Sequence, residues 1–301
     1  MYKHLTIYLI FVLLFAWIFV ILLLYSCYEN EKEGRALRLL STTKLFRGQE
    51  RPEKKLIKAP ADRTVLSGGR RLRHELKYII DEGTYRMLMG RLAPLMQPDP
   101  HARDGGYRVT SVYFDDIYGS AYQQKLNGIE TRRKFRIRAY DLDPSLINLE
   151  SKHKDDSYVS KLSRRLTEEQ YRSLLDCDSA FMEDCDSDED AFGEFYRSDR
   201  IARLRPRVIV DYRRVALVYP FGNVRITFDR ELSACFNTMD MFSPQAQYTR
   251  IFDKEIILEV KFDKYIPESI QAALHGLKAP QESVSKFILC TDRMLEVNFH
   301  G

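Results

Sequence analysis

The 301-residue sequence is poor in features that would announce its chemistry directly. Its five cysteines, Cys27, Cys177, Cys185, Cys235 and Cys290, form no Cys-x-x-Cys pair and no cluster with histidine. That spacing excludes a disulfide framework and a zinc site and predicts reduced thiols in a reducing compartment. Net charge is only +4, although 30% of the residues are charged. Bulk charge therefore excludes a general nucleic-acid binder, and any anion selectivity must come from local arrangement. No internal repeat is present. Residues 176–190 hold eight carboxylates, and Asp184-x-Asp186-x-Asp188 has the spacing of a calcium loop. Glu189 stands where that loop needs glycine, however, and Phe195 where it needs glutamate. A solvated acidic loop is expected.

Long apolar runs are absent after residue 28, but one precedes it. Leu5 to Tyr25 carry no charge and are rich in Leu, Ile, Phe and Val. A bilayer-crossing helix needs about 20 such residues, and a signal peptide has a core of about 7–15. A retained transmembrane anchor over 1–28 is expected. The rival is a lipoprotein box at Leu24-Tyr25-Ser26-Cys27, where the tyrosine fits poorly. Lys3 alone precedes the run, whereas Lys32, Arg35, Arg38, Lys44 and Arg47 follow it. The positive-inside bias then places the rest of the chain in the cytoplasm.

Residues 29–69 lack sustained periodicity and end in Ser-Gly-Gly, which predicts a linker. From residue 70 to 301 the patterning predicts one domain. Strands are predicted at 71–80, 107–115, 132–141, 145–154, 157–166, 207–218, 223–232 and 254–263. Helices are predicted at 81–93, 117–126, 167–176, 190–204, 266–277 and 283–297. Thr167-Glu168-Glu169-Gln170 is a capping box opening one of them. Several strands are only a few residues apart, which antiparallel neighbours allow and parallel ones do not.

The polar faces of these strands are lopsided. Lys134, Arg136 and Arg138 alternate with Phe135, Ile137 and Ala139. Arg73, Glu75 and Lys77 share a face, as do Glu150, Lys152 and Lys154, with Lys161 on the next strand. Tyr212 and Arg214 share another face; so do Arg225, Thr227 and Asp229; and so do Glu259 and Lys261. A plain wet face also alternates, but it mixes both signs with Ser, Thr and Gln. Two cations about 5 Å apart repel by roughly 3 kcal/mol at an effective dielectric of about 20. Repeating that penalty makes sense where a long polyanion is to lie. A closed α+β antiparallel barrel with a charged lumen and helices packed outside satisfies every strand. Because such cations repel one another without a ligand, replacing Arg136 or Arg138 by alanine should leave the melting temperature nearly unchanged or raise it. Glu259 is the leading candidate to hold a divalent metal, with Glu75 and Glu150 as rivals; an ion pair with a neighbouring cation is the other role for each. Lys286, in Ser283-Val284-Ser285-Lys286-Phe287, falls in the first turn of a helix read as starting at Ser283. There a cation is disfavoured unless an anion binds beside it.

The stretches RHELKYII (73–80), YRVTSVYFDD (107–116), KLNGIETRRKFRIRAY (125–140), LESKHK (149–154), VIVDYRRVALVYPFGNVRITFDR (208–230), ILEVKFD (257–263) and SVSKFILC (283–290) carry a family resemblance. The sequence resembles the VTC domain, the polyphosphate polymerase module first known from a vacuolar transporter chaperone complex. It is most similar to bacterial VTC-domain proteins of the triphosphate tunnel fold. The resemblance implies tunnel cations at Lys77, Arg136, Arg138, Lys152, Lys161, Arg214, Arg225 and Lys286. It further implies phosphate contacts from Tyr212 and Ser285, and Mn²⁺ or Mg²⁺ held by Glu259. The implied reaction moves the γ-phosphate of ATP onto inorganic polyphosphate. A triphosphatase using the same site and a polyphosphate-binding module without catalysis are the alternatives. Two positions depart from the pattern: Arg73 stands where related tunnel hydrolases have a first glutamate, and Ser283 where the family tends to have lysine.

Overall fold

The structure, a computed structural model, describes residues 73–300 apart from 103–104, 156–157, 186 and 188. The expected anchor over 1–28 and linker over 29–69 lie outside the described residues. Among the described residues no helix is long and apolar enough to cross a membrane.

The elements in order are β1 (Arg73–Ile80), α1 (Glu82–Leu92), β2 (Gln97–Pro98), β3 (Tyr107–Asp115), α2 (Ser120–Leu126), β4 (Arg132–Tyr140), β5 (Ile147–Asp155), β6 (Tyr158–Leu166) and α3 (Glu168–Leu175). They continue with α4 (Ala191–Ala202), β7 (Arg205–Tyr219), β8 (Val224–Cys235), β9 (Tyr248–Arg250), β10 (Ile256–Phe262), α5 (Glu268–Leu274) and α6 (Lys286–His300). The sheet order is β2-β7-β3-β4-β5-β6-β1-β10-β8-β9, and β7 also pairs with β8. Eight strands thus close into an antiparallel barrel, the α+β architecture expected. Among the described residues β5 and β6 share nine register pairs, and β1 meets β6 through Arg73↔Val159 and His74↔Tyr158. At that seam the His74 ring lies 5.0 Å from the Tyr158 ring and 5.1 Å from the Phe262 ring.

Alternation sorts the side chains. Phe135, Ile137 and Leu149 point outward and are buried with Tyr171 and Leu174 of α3 and Phe192 and Phe195 of α4. On the opposite wall Ile226, Phe228, Leu258, Val260 and Phe262 pack with Leu88 and Leu92 of α1 and Ile270 of α5. Each buried aliphatic or phenyl side chain contributes about 1.5–3 kcal/mol, so these two layers fix which face of each strand looks inward. The capping box forms as expected: the Gln170 N–H donates to Thr167 Oγ1 at 3.2 Å and the Thr167 N–H to Gln170 Oε1 at 3.0 Å. Gly106 lets β3 close onto β7, since a Cβ there would meet the Arg214 carbonyl oxygen at 2.7 Å.

Two expectations need correcting. Not every helix packs outside, because α6 buries Phe287, Ile288 and Cys290 against Val208, Val210 and Tyr212, on the inward face of β7. That part of the inward face is apolar and needs cover. The last helix also starts at Lys286 rather than Ser283. The reason is local: Glu282 donates its N–H to the Lys77 carbonyl at 2.9 Å, and the hydroxyls of Ser283 and Ser285 accept from Lys125 at 2.5 Å and Lys134 at 3.3 Å. Residues 281–285 therefore run as a strap along β1 instead of winding into a turn.

Candidate functional site

The inward faces of the strands enclose a cavity of about 380 Å³ lined, among the described residues, by eleven lysine and arginine side chains and three glutamates. Of the residues singled out in the sequence, Lys77, Arg136, Arg138, Lys152, Tyr212, Arg214, Glu259, Ser285 and Lys286 line it. Lys161 and Arg225 do not. Lys161 Nζ donates to Glu150 at 2.7 Å. Arg225 pairs with Asp99 and donates to the Tyr107 hydroxyl at 2.8 Å.

Period-two alternation along β1 and β10 sets Lys77 opposite Glu259 and Glu75 opposite Lys261. Glu259 consequently sits among four cations: Lys261 at 3.0 Å, Lys77 at 3.2 Å, Lys286 at 3.5 Å and Arg214 at 3.8 Å. Burial pushes its carboxyl up, but those charges outweigh burial and hold it well below the usual carboxylate range. Glu75 takes two bonds from Lys152, at 2.8 and 3.0 Å, and is likewise held down against the effect of burial. Deeper in the wall, Asp229 receives Arg214 at 2.6 and 2.7 Å and Lys286 at 2.5 Å. Burial opposes the charge on Lys286, yet Asp229 and Glu259 raise its pKa above the ordinary lysine value. Glu150 gathers Arg136 at 2.6 Å, Lys161 at 2.7 Å and Arg138 at 3.6 Å. The lumen cations are therefore not a bare row. Four carboxylates, the buried Glu150, Asp229 and Glu259 and the partly buried Glu75, hold them in place, as ions shielded from water require.

Tyrosines complete the wall. Arg136 donates to the Tyr113 hydroxyl at 2.8 Å and Arg138 to the Tyr212 hydroxyl at 3.3 Å. Lys286 Nζ lies 4.8 Å from the Tyr212 ring centre. Burial would raise the Tyr113 phenol, but Arg136 and Arg138 bring it below its ordinary value.

Sequence reasoning passed over Tyr113, Lys125 and Arg132, and it placed Lys134, Lys154 and Lys261 on cation faces without assigning them to the site. The same alternation that selected Arg136 and Arg138 also selects Lys134, Lys154 and Lys261. Lys125 has no such signal, because it reaches the site from the last turn of α2.

Among the described residues no three His, Cys, Asp or Glu side chains cluster as metal ligands. Glu259 and Glu75 nonetheless offer hard oxygen donors side by side, both ion-paired to Lys77 and Lys261. Mg²⁺ and Mn²⁺ take one or two carboxylates and complete their shells with phosphate oxygens and water. The donor set fits such an ion once phosphates engage the lysines.

No curated protein matches this sequence. Among solved structures, two proteins each named "putative adenylate cyclase" are similar at low identity. The one from Bacillus halodurans shares 11% identity at a TM-score of 0.40, over 77% of this chain and 91% of its own. The one from Vibrio parahaemolyticus shares 10% at a TM-score of 0.41, over 72% of this chain and 97% of its own. The VTC domain profile matches residues 72–295, a span that takes in all eight barrel strands and the cation-lined cavity. By that match the chain belongs to the VTC-domain family of triphosphate tunnels, which implies the handling of phosphate or triphosphate groups.

Proposed function

We propose that the chain is a polyphosphate polymerase that transfers the γ-phosphate of ATP to the end of a growing inorganic polyphosphate. The observation that carries this reading is the charge balance of the cavity: among the described residues eleven lysine and arginine side chains line it against three glutamates, with Glu150 and Asp229 behind them. A surplus of that size is costly in an empty site and is neutralised by a chain of phosphates.

The residues divide the work. Arg136, Arg138, Lys152 and Lys77 bind and align non-bridging oxygens along the lumen. Lys286, Arg214 and the Tyr212 hydroxyl face the reacting phosphoryl group, where charge spreads over three equatorial oxygens. Fixed cations stabilise that charge without reorganising. The terminal phosphate oxygen of the acceptor attacks the γ-phosphorus in line; the β–γ bridging bond breaks and its electrons leave on ADP. Glu259, with Glu75, would hold Mn²⁺ or Mg²⁺, which when bound draws charge from the phosphates. Residues 1–28 anchor the enzyme in a membrane with the barrel in the cytoplasm, a reading supported by the charges flanking the apolar run.

The test is to incubate the purified full-length chain with ATP and Mn²⁺ and assay ADP and polyphosphate separately. Acid-labile polymer with equimolar ADP is the expected result. Orthophosphate without polymer would make water the acceptor and the protein a triphosphatase. Tight polyphosphate binding without ADP release would make it a binding module.

A further inference from the structure

The cavity's mouth differs from its depth. Lys125 and Lys134 reach it from α2 and β4, and among the described residues neither pairs with a carboxylate. Each instead donates to a strap hydroxyl, Lys125 to Ser283 at 2.5 Å and Lys134 to Ser285 at 3.3 Å. The groups facing Lys134 are nearly all cationic: Arg132 on its own strand, Lys77 on β1, Lys125 on α2 and Lys152 opposite it on β5. From α6 it meets only the Phe287 ring, 4.8 Å from its nitrogen. The one carboxylate on the strap, Glu282, makes no ion pair with it among the described residues.

We propose that this mouth is a second anion subsite, which takes the outer phosphates of a polyanion whose inner phosphates lie on the deep cations, and that Lys134 gains its proton as those phosphates arrive. The proposal rests on the phosphate-binding reading above and adds where the chain leaves the barrel. In the ligand-free site, burial and then the neighbouring cations lower the Lys134 ammonium to about 6. At neutral pH it is mostly an uncharged amine, which a serine hydroxyl suits and four cations tolerate. A phosphate oxygen in the same place reverses the balance. The strap hydroxyls then turn from acceptors of lysine protons into donors to the phosphate.

Calorimetric titration of the full-length chain with inorganic tripolyphosphate, in two buffers of different ionisation enthalpy, counts the protons taken up. At about pH 7.5 the wild type should take up about one proton more per tripolyphosphate than Lys134→Arg, which is charged throughout. Lys134→Gln, which cannot be charged, gives the same comparison should the arginine disturb the fold. Between about pH 6.5 and 8 the wild-type affinity, relative to Lys134→Arg, should fall about tenfold per unit. Equal proton counts in wild type and both variants would overturn the subsite while leaving the deep site intact. Binding that Lys286→Ala does not weaken would overturn the phosphate reading itself, and no binding by the wild type would overturn both.

Discussion

Arg214 grips Asp229 through two parallel hydrogen bonds, 2.6 and 2.7 Å long, and the same carboxylate accepts Lys286 at 2.5 Å. Arg214 and Asp229 are buried and Lys286 is nearly so, with the Asp229 side chain fully shielded. One carboxylate thus fixes two cations that the proposed chemistry needs. Asp229→Asn leaves both without their main partner, and breaking such a buried pair costs about 3–5 kcal/mol. A large drop in melting temperature is expected, partly restored by added tripolyphosphate. An unchanged melting temperature would show that the site does not depend on this carboxylate.

Arg136 is the case where the structure reverses an expectation. A bare cation could be removed without harm, but Arg136 holds Glu150 at 2.6 Å and the Tyr113 hydroxyl at 2.8 Å. Glu150 keeps Lys161 and Arg138 when Arg136 is lost, so Arg136→Ala should destabilise by about 1–3 kcal/mol rather than stabilise. ATP turnover should be abolished as well. Denaturant unfolding and ADP release, measured on the same preparation, check the two outcomes.

Glu259→Gln removes the central negative charge with little change of shape. Turnover and its dependence on Mn²⁺ should both be lost. Metal-free binding of tripolyphosphate should persist or tighten, since four cations lose their competitor. Full metal-dependent ADP release by this variant would move the metal assignment to Glu75.

The ligand-free fold should become more stable as pH rises. Lys134 and Lys152 are lowered by burial to about 6 and about 8, from an ordinary 10.5. Between those values and 10.5 the unfolded chain binds more protons than the folded one, so stability increases with pH through that window. His74, lowered by burial, adds the same sign at the acid end. Melting curves from about pH 6 to 9 should show the rise, and saturating tripolyphosphate should flatten it.

A reporter fused after Gly301 should be active only in its cytoplasmic form. Activity confined to an extracytoplasmic reporter would favour the lipoprotein reading at Cys27.

Much of the barrel was legible because seven to fifteen residues of alternation suffice to mark a strand. All eight barrel strands were predicted within two residues at most ends. The strands β2 and β9, with two and three residues, are too short to show any period. Arg136, Arg138 and Glu259 were legible for the same reason as their strands. The carboxylate scaffold was harder to read. Alternation places Glu150 and Asp229 on the cation face, but only closure of the sheet shows which charges they meet. The start of α6 was misread because Ser283 and Ser285 look like caps in sequence, whereas in space their hydroxyls are taken by Lys125 and Lys134.

Closure of the sheet through the β7–β8 pairing has a topological consequence. A continuous hoop can be loaded with a polymer only by feeding in a free end. On the function proposed above, the acceptor is therefore always met at its terminus, and a cyclic phosphate, which has none, cannot be threaded.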